Sequence, residues 1–309
     1  AAEGLAWGIT DNYDDLPGNV TKILFELAEK DETAEDTAEA IYHNFHKLPE
    51  VIRNELLLKL SEKDEAAEDV ALAVTENHDE LPEEIRNLLF AFSEKDETAR
   101  GAAWAVAHNY SKLPEAIRNR LLLKLSIKNE AAWGVALAVT KYYDELSEET
   151  RNLLFELARN DVTAGDIAWA VASNYSHLPE NVRNLLFELA QRDETARSVA
   201  MAVVDNFPKL PENVRNELLR KLSRRDEAAR GVVLAIVHNY CELPRDIRNL
   251  LFDFSERSET TKYVAEEVVH NYNRLPENIR NELLQRLSRK NKAAEGLAWG
   301  ITDNYDDLP

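Results

Sequence analysis

Glycine and proline are scarce in this chain, whose 309 residues include only 9 Gly and 10 Pro. The many loops of a sheet-rich enzyme need more of both, because Gly and Pro supply the backbone conformations of most tight turns. The scarcity therefore favours an all-α fold. With 44% hydrophobic and 30% charged residues, the composition is that of a soluble protein with a large core, which excludes general disorder.

Cysteine, long apolar runs and net positive charge are missing as well. The single Cys241 excludes an intramolecular disulfide framework and a thiolate zinc cluster, and it favours the cytoplasm over secretion. The longest wholly apolar run, residues 102–107, is too short to span a bilayer. A net charge of −20 would repel a phosphate backbone or an anionic membrane, and no basic stripe offsets it. We therefore expect neither nucleic acid nor a membrane as a partner.

The dipeptide Leu-Pro recurs along the whole sequence at intervals of 32 or 33 residues, with Leu146-Ser147 in one place. The repeat marks are Pro17, Pro49, Pro82, Pro114, Ser147, Pro179, Pro211, Pro244, Pro276 and Pro309. The intervals cover 292 residues in nine repeats. Residues 1–309 are therefore expected to form a single repeat domain without an internal boundary.

Each repeat predicts two helices. The Pro-initiated helix begins at the Leu-Pro mark, where the missing N–H of proline would be unpaired anyway. The Ala-rich helix follows a short break that starts with Asp31 or its equivalent. Apolar residues 12, 11, 8 and 4 positions before each mark, such as Leu5 and Val70, share one face of the Ala-rich helix and predict its buried side. Ten Ala-rich and nine Pro-initiated helices are expected, and each pair must stack on the next.

Repeats of 33 residues carry one more residue in the Pro-initiated helix than repeats of 32. The inserted residues are Glu55, Arg120, Glu217 and Glu282. One added residue turns a helix face by about 100°. We therefore expect either a shifted helix start or a local π bulge in the longer repeats.

An Asn stands five positions before the mark in nine of the ten copies, from Asn12 to Asn304. Asn is the best non-Gly residue for the left-handed conformation that closes a helix, so we expect it to end the Ala-rich helices in that way. The copy with Tyr142 at this position is expected to end differently.

A second recurrent pair, Arg-Asn, lies in the Pro-initiated helix of eight repeats. A row of arginines could cradle an extended anion. The acidic surroundings favour a structural ladder instead, in which Arg bridges to a carboxylate of the neighbouring repeat and Asn ties the backbone between repeats. The ladder residues are Arg53, Asn54, Arg86, Asn87, Arg118, Asn119, Arg151, Asn152, Arg183, Asn184, Arg215, Asn216, Arg248, Asn249, Arg280 and Asn281.

The order of an Asp-led break, an Ala-rich helix, a turn and a helix of the type Ile-Arg-Asn-Leu-Leu, as in residues 226–251, resembles HEAT-like repeats. HEAT units are commonly longer, and the Gly that usually follows their first helix is Asn here. The tetratricopeptide pattern fits less well. The resemblance implies a right-handed α-solenoid, with the Pro-initiated helices on its concave side, that serves as a protein-binding scaffold.

Catalytic and metal-binding patterns are absent from the sequence. Four of the seven histidines occupy one position near the end of the Ala-rich helix in different repeats, and only His43 and His46 lie close together. No phosphate-binding glycine loop, HExxH or GxSxG motif is present, and no motif surrounds Cys241. We therefore expect no enzyme activity, no metal and no cofactor.

The strongest functional signal is a helix face that varies while its neighbours stay constant. Ten positions before the mark, Trp and Glu occupy equivalent places, and a buried core position would not accept both. The −10 row consists of Trp7, Glu39, Leu72, Trp104, Leu137, Trp169, Met201, Leu234, Glu266 and Trp299. The −14 row on the same side consists of Glu3, Glu35, Glu68, Arg100, Trp133, Gly165, Arg197, Arg230, Lys262 and Glu295.

We predict that these rows are partly exposed and contain a face that binds a protein or peptide, since exposed Trp, Leu and Met anchor protein interfaces. The candidate binding residues are Trp7, Trp104, Trp133, Trp169, Met201 and Trp299. The alternative is that the Trp side chains only cover the seams between repeats.

Residues 1–17 and 293–309 are identical, although other repeats differ at many positions. Three origins fit this identity: excision from a longer array, a designed or segmentally duplicated protein, or ends that join head to tail. Curvature could close a nine-repeat ring, but the two identical helices would then compete for one position. Joining between chains would instead give a superhelix. Self-association through the ends is therefore the alternative to a scaffold that binds another protein.

Overall fold

A computed structural model of the chain describes residues 2–17 and 20–303, with the backbone alone for Ala2 and residues 299–303. Within these ranges the structure consists of helices joined by short turns and contains no strand. The all-α expectation is therefore confirmed. The chain forms two compact units, Ala1–Leu157 and Ala158–Pro309.

Twenty α-helical segments lie within the described ranges. They are α1 (Ala2–Asp11), α2 (Val20–Ala28), α3 (Asp31–His43), α4 (Glu50–Leu60), α5 (Ala67–Glu76), α6 (Glu83–Arg86), α7 (Leu88–Phe92), α8 (Asp96–His108), α9 (Glu115–Leu125), α10 (Ala132–Lys141), α11 (Glu148–Arg159), α12 (Ala164–Ser173), α13 (Glu180–Leu189), α14 (Asp193–Asp205), α15 (Glu212–Leu222), α16 (Ala229–His238), α17 (Arg245–Glu256), α18 (Thr261–His270), α19 (Glu277–Leu287) and α20 (Ala293–Asp303). Segments α6 and α7 are the two halves of one helix, interrupted at Asn87, so the helices of this part number nineteen.

Short 3₁₀ turns join many of these helices. They are Tyr13–Asp15, Phe45–Lys47, Asp64–Ala66, His78–Glu80, Tyr110–Lys112, Asn129–Ala131, Tyr143–Glu145, Tyr175–His177, Asp226–Ala228 and Tyr272–Arg274. The Ala-rich helices are α1, α3, α5, α8, α10, α12, α14, α16, α18 and α20, and the other segments form the Pro-initiated helices. Within each unit, a helix contacts mainly its neighbours in sequence and the next helix of its own type.

The buried face of the Ala-rich helices agrees with the sequence pattern. Val70 and Val135 are fully buried, and so is Val74 one turn after Val70. The apolar side chains of the Pro-initiated helices, such as Leu89, pack on this face and are buried as well. The prediction is wrong for Leu5, whose side chain is 45% exposed because no helix of the described part covers that side of α1.

Neighbouring Ala-rich helices approach closely because small residues lie between them. A Cβ atom built on Gly134 in α10 would lie 2.7 Å from the Cβ atom of Ala103 in α8, far inside van der Waals contact. Gly231 in α16 meets Ala200 in α14 at the same distance. Pro-initiated helices contact one another less extensively. The Ala-rich helices therefore form the tighter of the two helix layers within each unit.

Asn ends the Ala-rich helices, but the left-handed conformation predicted for it is wrong. The Asn residues at these C-caps have φ between −105° and −119°, and no non-Gly residue of the described part has a positive φ. Both the backbone N–H and the Nδ2 atom of Asn77 donate to the Ala73 carbonyl, at 3.2 and 3.0 Å. The amide thus satisfies a helix-end carbonyl without a left-handed residue.

The expectation for Tyr142 is also wrong. Helix α10 ends there with φ −113° and ψ 25°, the conformation seen at the Asn caps. The backbone N–H of Tyr142 still donates to the Ala138 carbonyl, at 3.1 Å, so the cap conformation does not require the amide. The Tyr142 ring stacks on Tyr110, with the ring centroids 4.2 Å apart.

The extra residue of the longer repeats produces neither a shifted helix start nor a π bulge. The Pro-initiated helix begins one residue after the proline in both classes, as at Glu50 and Glu83, and the described residues contain no π turn. Helix α4 of a longer repeat has 11 residues, and α13 of a shorter repeat has 10. Three residues follow each helix before the break, which starts at Asp64 and at Asp193. In this pair the added residue therefore lengthens the Pro-initiated helix at its C-terminal end.

The amide cap generates the first prediction. Replacing Asn77 by Ala removes a buried hydrogen bond and should lower the free energy of unfolding by about 1 kcal/mol. Asn12 makes the same bond to the Gly8 carbonyl, at 3.0 Å, but in an exposed position. Asn12→Ala is therefore the matched control and should cost less than half as much, because water replaces an exposed bond. Urea denaturation followed by circular dichroism measures both effects, and equal losses would contradict the assignment.

Candidate functional site

The −10 row lies along one side of the Ala-rich layer, and each of its described side chains is half-buried. In the first unit the row is Trp7, Glu39, Leu72, Trp104 and Leu137, and in the second it is Trp169, Met201, Leu234 and Glu266. The side chain of Trp299 lies outside the described residues. In the −14 row, Trp133 and Gly165 are half-buried and the other residues are exposed. Both rows are therefore accessible to a partner.

The structure brings two of the candidate residues together. The Trp104 ring of α8 stacks on the Trp133 ring of α10, with the ring centroids 4.8 Å apart and an interplanar angle of 21°. The stack is possible because Gly134, the residue after Trp133, lets α10 approach α8. The His108 ring lies against Trp104, with the centroids 3.5 Å apart, and its Nδ1–H donates to the Trp104 carbonyl at 3.1 Å.

Two aliphatic residues of the −10 row extend this stack. Leu72 in α5 and Leu137 in α10 occupy the positions equivalent to Trp104 on the two helices that pack against α8, and both are half-buried. Leu72, Trp104, Trp133 and Leu137 together form the tryptophan patch. It is the best candidate binding surface of the first unit, since apolar side chains exposed side by side mark interaction sites.

Within the first unit, Trp7 lies apart from the tryptophan patch. The Trp7 ring stacks on His43, with the centroids 5.1 Å apart, and α3 and α5 follow α1 in the packing order before α8 is reached. Trp169 and Met201 belong to the adjacent helices α12 and α14 of the second unit. Trp7 and the tryptophan patch are therefore separate groups of the first unit, and Trp169 and Met201 lie on adjacent helices of the second.

Acidic residues surround the half-buried side chain of Asp69, where α5 packs against α3. Asp69 occupies the position that Gly134 holds in α10. Burial raises the pKa of Asp69 from 3.8 to about 7, and the nearby carboxylates of Glu39 and Glu68 add to the effect. An aspartate at this position is thus held partly protonated near neutral pH, because the folded chain disfavours its charge.

A cavity of about 380 Å³ lies between α16, α18 and α20 in the second unit, and Arg230, Lys262 and Glu266 contribute to its lining. Arg230 donates to Glu266 at 2.8 Å. Beside this pair, Glu267 replaces the Ala of most other repeats and is only 6% exposed. Burial and the neighbouring Glu266 raise the pKa of Glu267. The cavity therefore combines charged side chains of both signs.

The structure gives the arginines of the predicted ladder a different main partner. Seven of them lie over the aromatic ring eight residues earlier, at distances from 3.6 Å for Arg280 to 5.3 Å for Arg248. Arg280 also donates to the carbonyl of that residue, Tyr272, at 3.1 Å. Arg118 approaches the carboxylate of Glu145, in the turn at the end of its own repeat, but only to 3.9 Å. These arginines thus fasten the Pro-initiated helix to the turn that precedes it.

Ion pairs between successive repeats come from residues that the sequence pattern did not single out. Lys63 bonds to Asp31 and Lys128 to Asp96, both at 2.5 Å. Lys63 directly precedes the break that starts at Asp64, and its partner Asp31 starts the preceding break. Lys128 and Asp96 are arranged in the same way, so these pairs connect adjacent repeats. The signal for them is the Lys-Asp or Lys-Asn dipeptide at the break.

Three asparagines of the predicted ladder do not accept a hydrogen bond through the side chain. The Oδ1 atoms of Asn54, Asn119 and Asn216 are buried without a hydrogen-bond partner among the described residues. All three belong to the longer repeats.

No three His, Cys, Asp or Glu side chains are arranged to hold a metal ion in the described part of the chain. His43 and His46 do not share a partner, since His43 stacks on Trp7 and His46 lies 3.7 Å from Glu80. Cys241 is exposed. Among the described helices, none is both long and apolar enough to cross a membrane.

The raised pKa of Asp69 generates a prediction about pH. The folded chain keeps a proton on Asp69 up to about pH 7, whereas the unfolded chain releases it near 3.8. The contribution of this proton to stability is therefore lost as the pH rises toward and through 7. Asp69→Asn should raise the free energy of unfolding at pH 8 by about 1–2 kcal/mol and change little at pH 4.

Urea denaturation at the two pH values measures this difference. Asp36→Asn, at the equivalent position of α3, is the matched control for the loss of one negative charge. A gain from Asp69→Asn that is equal at both pH values, or equal to that of the control, would contradict the account.

No protein-family model, no curated protein and no solved structure matches this chain. The resemblance to HEAT-like repeats therefore rests on the sequence pattern, and the function has to be argued from the side chains described above.

Proposed function

We propose that this protein is a non-enzymatic scaffold that binds a protein or peptide along its Ala-rich helices. In this proposal the chain is a HEAT-like α-solenoid of nine repeats of 32 or 33 residues with one additional helix. The regular alternation of the two helix types and the contacts between helices close in sequence support it. So does the recurrence of the Lys63–Asp31 pair at Lys128–Asp96.

The helix packing favours the Ala-rich helices as the concave side of the proposed solenoid, which reverses the arrangement implied by the family resemblance. Two stacked layers of unequal spacing curve toward the tighter layer. Gly134 against Ala103, and Gly231 against Ala200, make the Ala-rich layer the tighter one. Within each unit, the residues of both rows then lie on the concave side, where a bound segment touches several repeats at once.

The observation that carries the proposal is the half-exposed stack of Trp104 on Trp133. Two indole rings on neighbouring helices offer a large rigid contact area that loses little conformational entropy on binding. Leu72 and Leu137 extend the apolar surface on either side. A partner would insert apolar side chains against the rings and leave polar residues at the rim.

Charge adds a second criterion for the partner. The chain carries a net charge of −20. On α5, next to the tryptophan patch, Glu68 is exposed and Glu76 is half-buried. A negative field speeds the encounter with basic molecules and opposes acidic ones. The proposed partner is therefore an apolar segment with basic residues at its flanks.

Selection from a displayed library of random peptides tests this function. Peptides are selected on the wild-type chain and then measured on a Trp104→Ala/Trp133→Ala double variant. We expect the double variant to bind the selected peptides at least about tenfold more weakly, because central aromatic residues dominate interface energies. Enrichment of apolar residues flanked by Lys or Arg is the expected composition.

Trp169→Ala is the matched control, since it removes a half-buried Trp of the −10 row from the second unit. It should leave the affinity of these peptides unchanged. Thermal unfolding of every variant separates binding from stability. A double variant that loses stability but binds the peptides as the wild type does would show that the Trp pair only covers a seam, and would contradict the proposal.

A further inference from the structure

One helix sequence occurs twice in this chain and is packed differently in its two places. Residues 1–17 and 293–309 are identical, and they contain α1 and α20. Helix α1 packs against α3, the next Ala-rich helix, whereas α20 packs against α18, the preceding one. The structure therefore shows which side chains this sequence uses toward a following helix and which it uses toward a preceding helix.

Helix α1 is covered on the side toward α2 and α3. Ala6 is 1% exposed and belongs to an apolar cluster with Leu27 and Ala40. On the other side, Leu5 is 45% exposed, and a Cβ atom built on Gly4 would have no atom of the described chain within 4 Å. One face of α1 is thus open.

Helix α20 shows the reverse. Gly296, the counterpart of Gly4, is buried against α18, where a Cβ atom would overlap the carbonyl oxygen of Lys262 and lie 3.0 Å from the Cβ atom of Ala265. Ala298, the counterpart of the buried Ala6, is exposed. The face that is open in α1 is therefore the face that fits closely against α18 in α20.

We infer that the open face of α1 is a docking surface for α18 of a second copy of this chain. The incoming α1 takes the place of that copy's α20, whose side chains are the same, so the exchange loses no complementarity. Glu3 then stands where Glu295 lines the cavity with Lys262 and Arg230. Exchange of an identical element is a low-cost route to association. This assembly does not depend on the tryptophan patch.

The repeated sequence allows one substitution to be made in two places with opposite effects. Gly296→Val should loosen α20 from α18 and open the docking position, because a branched side chain has no room there. Gly4→Val should leave the fold of its own chain unchanged, because nothing lies near Gly4. The same Gly4→Val change should block docking on a second copy.

Multi-angle light scattering over a concentration series measures the result for the wild-type chain, both single variants and the double variant. Circular dichroism verifies the helix content of each. Relative to wild type, Gly296→Val should raise the association constant at least tenfold, since overpacking a close contact is costly. Gly4→Val and the double variant should remain monomeric at all concentrations.

The double variant separates docking from nonspecific aggregation, because it has the same loosened α20 as Gly296→Val but an incoming helix that no longer fits. A Gly296→Val chain with a constant monomer mass would overturn the inference. Association of the double variant at the level of Gly296→Val would overturn it as well.

Discussion

The close contact between neighbouring Ala-rich helices is the constraint on which the rest of the structure depends. At Gly134 the two helix backbones approach so closely that there is no room for a Cβ atom. Side chains on either side of such a contact cannot point into it and are directed along the surface. This is why Trp133 and Trp104 meet as a half-exposed stack. The Pro-initiated helices cover the other side of this closely packed layer.

In two Ala-rich helices, a carboxylate takes the place of a small residue. Asp69 takes the place of a glycine and Glu267 that of an alanine, and burial raises the pKa of both carboxyl groups. Each lies in a helix contact where a small apolar residue would be more stable. The charged exceptions and the −10 row lie on the same layer, so its chemistry varies from repeat to repeat.

The sequence period was sufficient to predict the helices and their core. Val70 and Val74 are spaced as one face of a helix, and burial follows directly from that spacing. The stacking of Trp104 on Trp133 could not be predicted, because it depends on the offset between two helices, which no period within one repeat specifies. Gly134 was the available signal. Asn77 could satisfy a helix-end carbonyl either in the left-handed conformation or, at a negative φ, through its side-chain amide. The sequence does not distinguish these two capping geometries.

The arginines illustrate a similar limit. Arg280 has an acidic environment in sequence, yet its guanidinium lies 3.6 Å from the centroid of the Tyr272 ring, which the preceding turn places beneath it. The ring eight residues earlier lies under seven of the eight arginines, whereas a carboxylate farther along the chain is in reach only where the helices bring it close. The local backbone geometry therefore determines the partner of the arginine, and the acidic residues nearby in the sequence do not.

Because its helices pack more tightly, we expect the Ala-rich layer to be the more rigid of the two layers in each unit. Backbone hydrogen exchange on the intact chain tests it most directly, since protection reports how often each helix opens. We expect the amides of α5, α8 and α10 to exchange at least about tenfold more slowly than those of α4 and α9 in the same unit. Equal protection of the two helix types, or slower exchange in the Pro-initiated helices, would contradict the account.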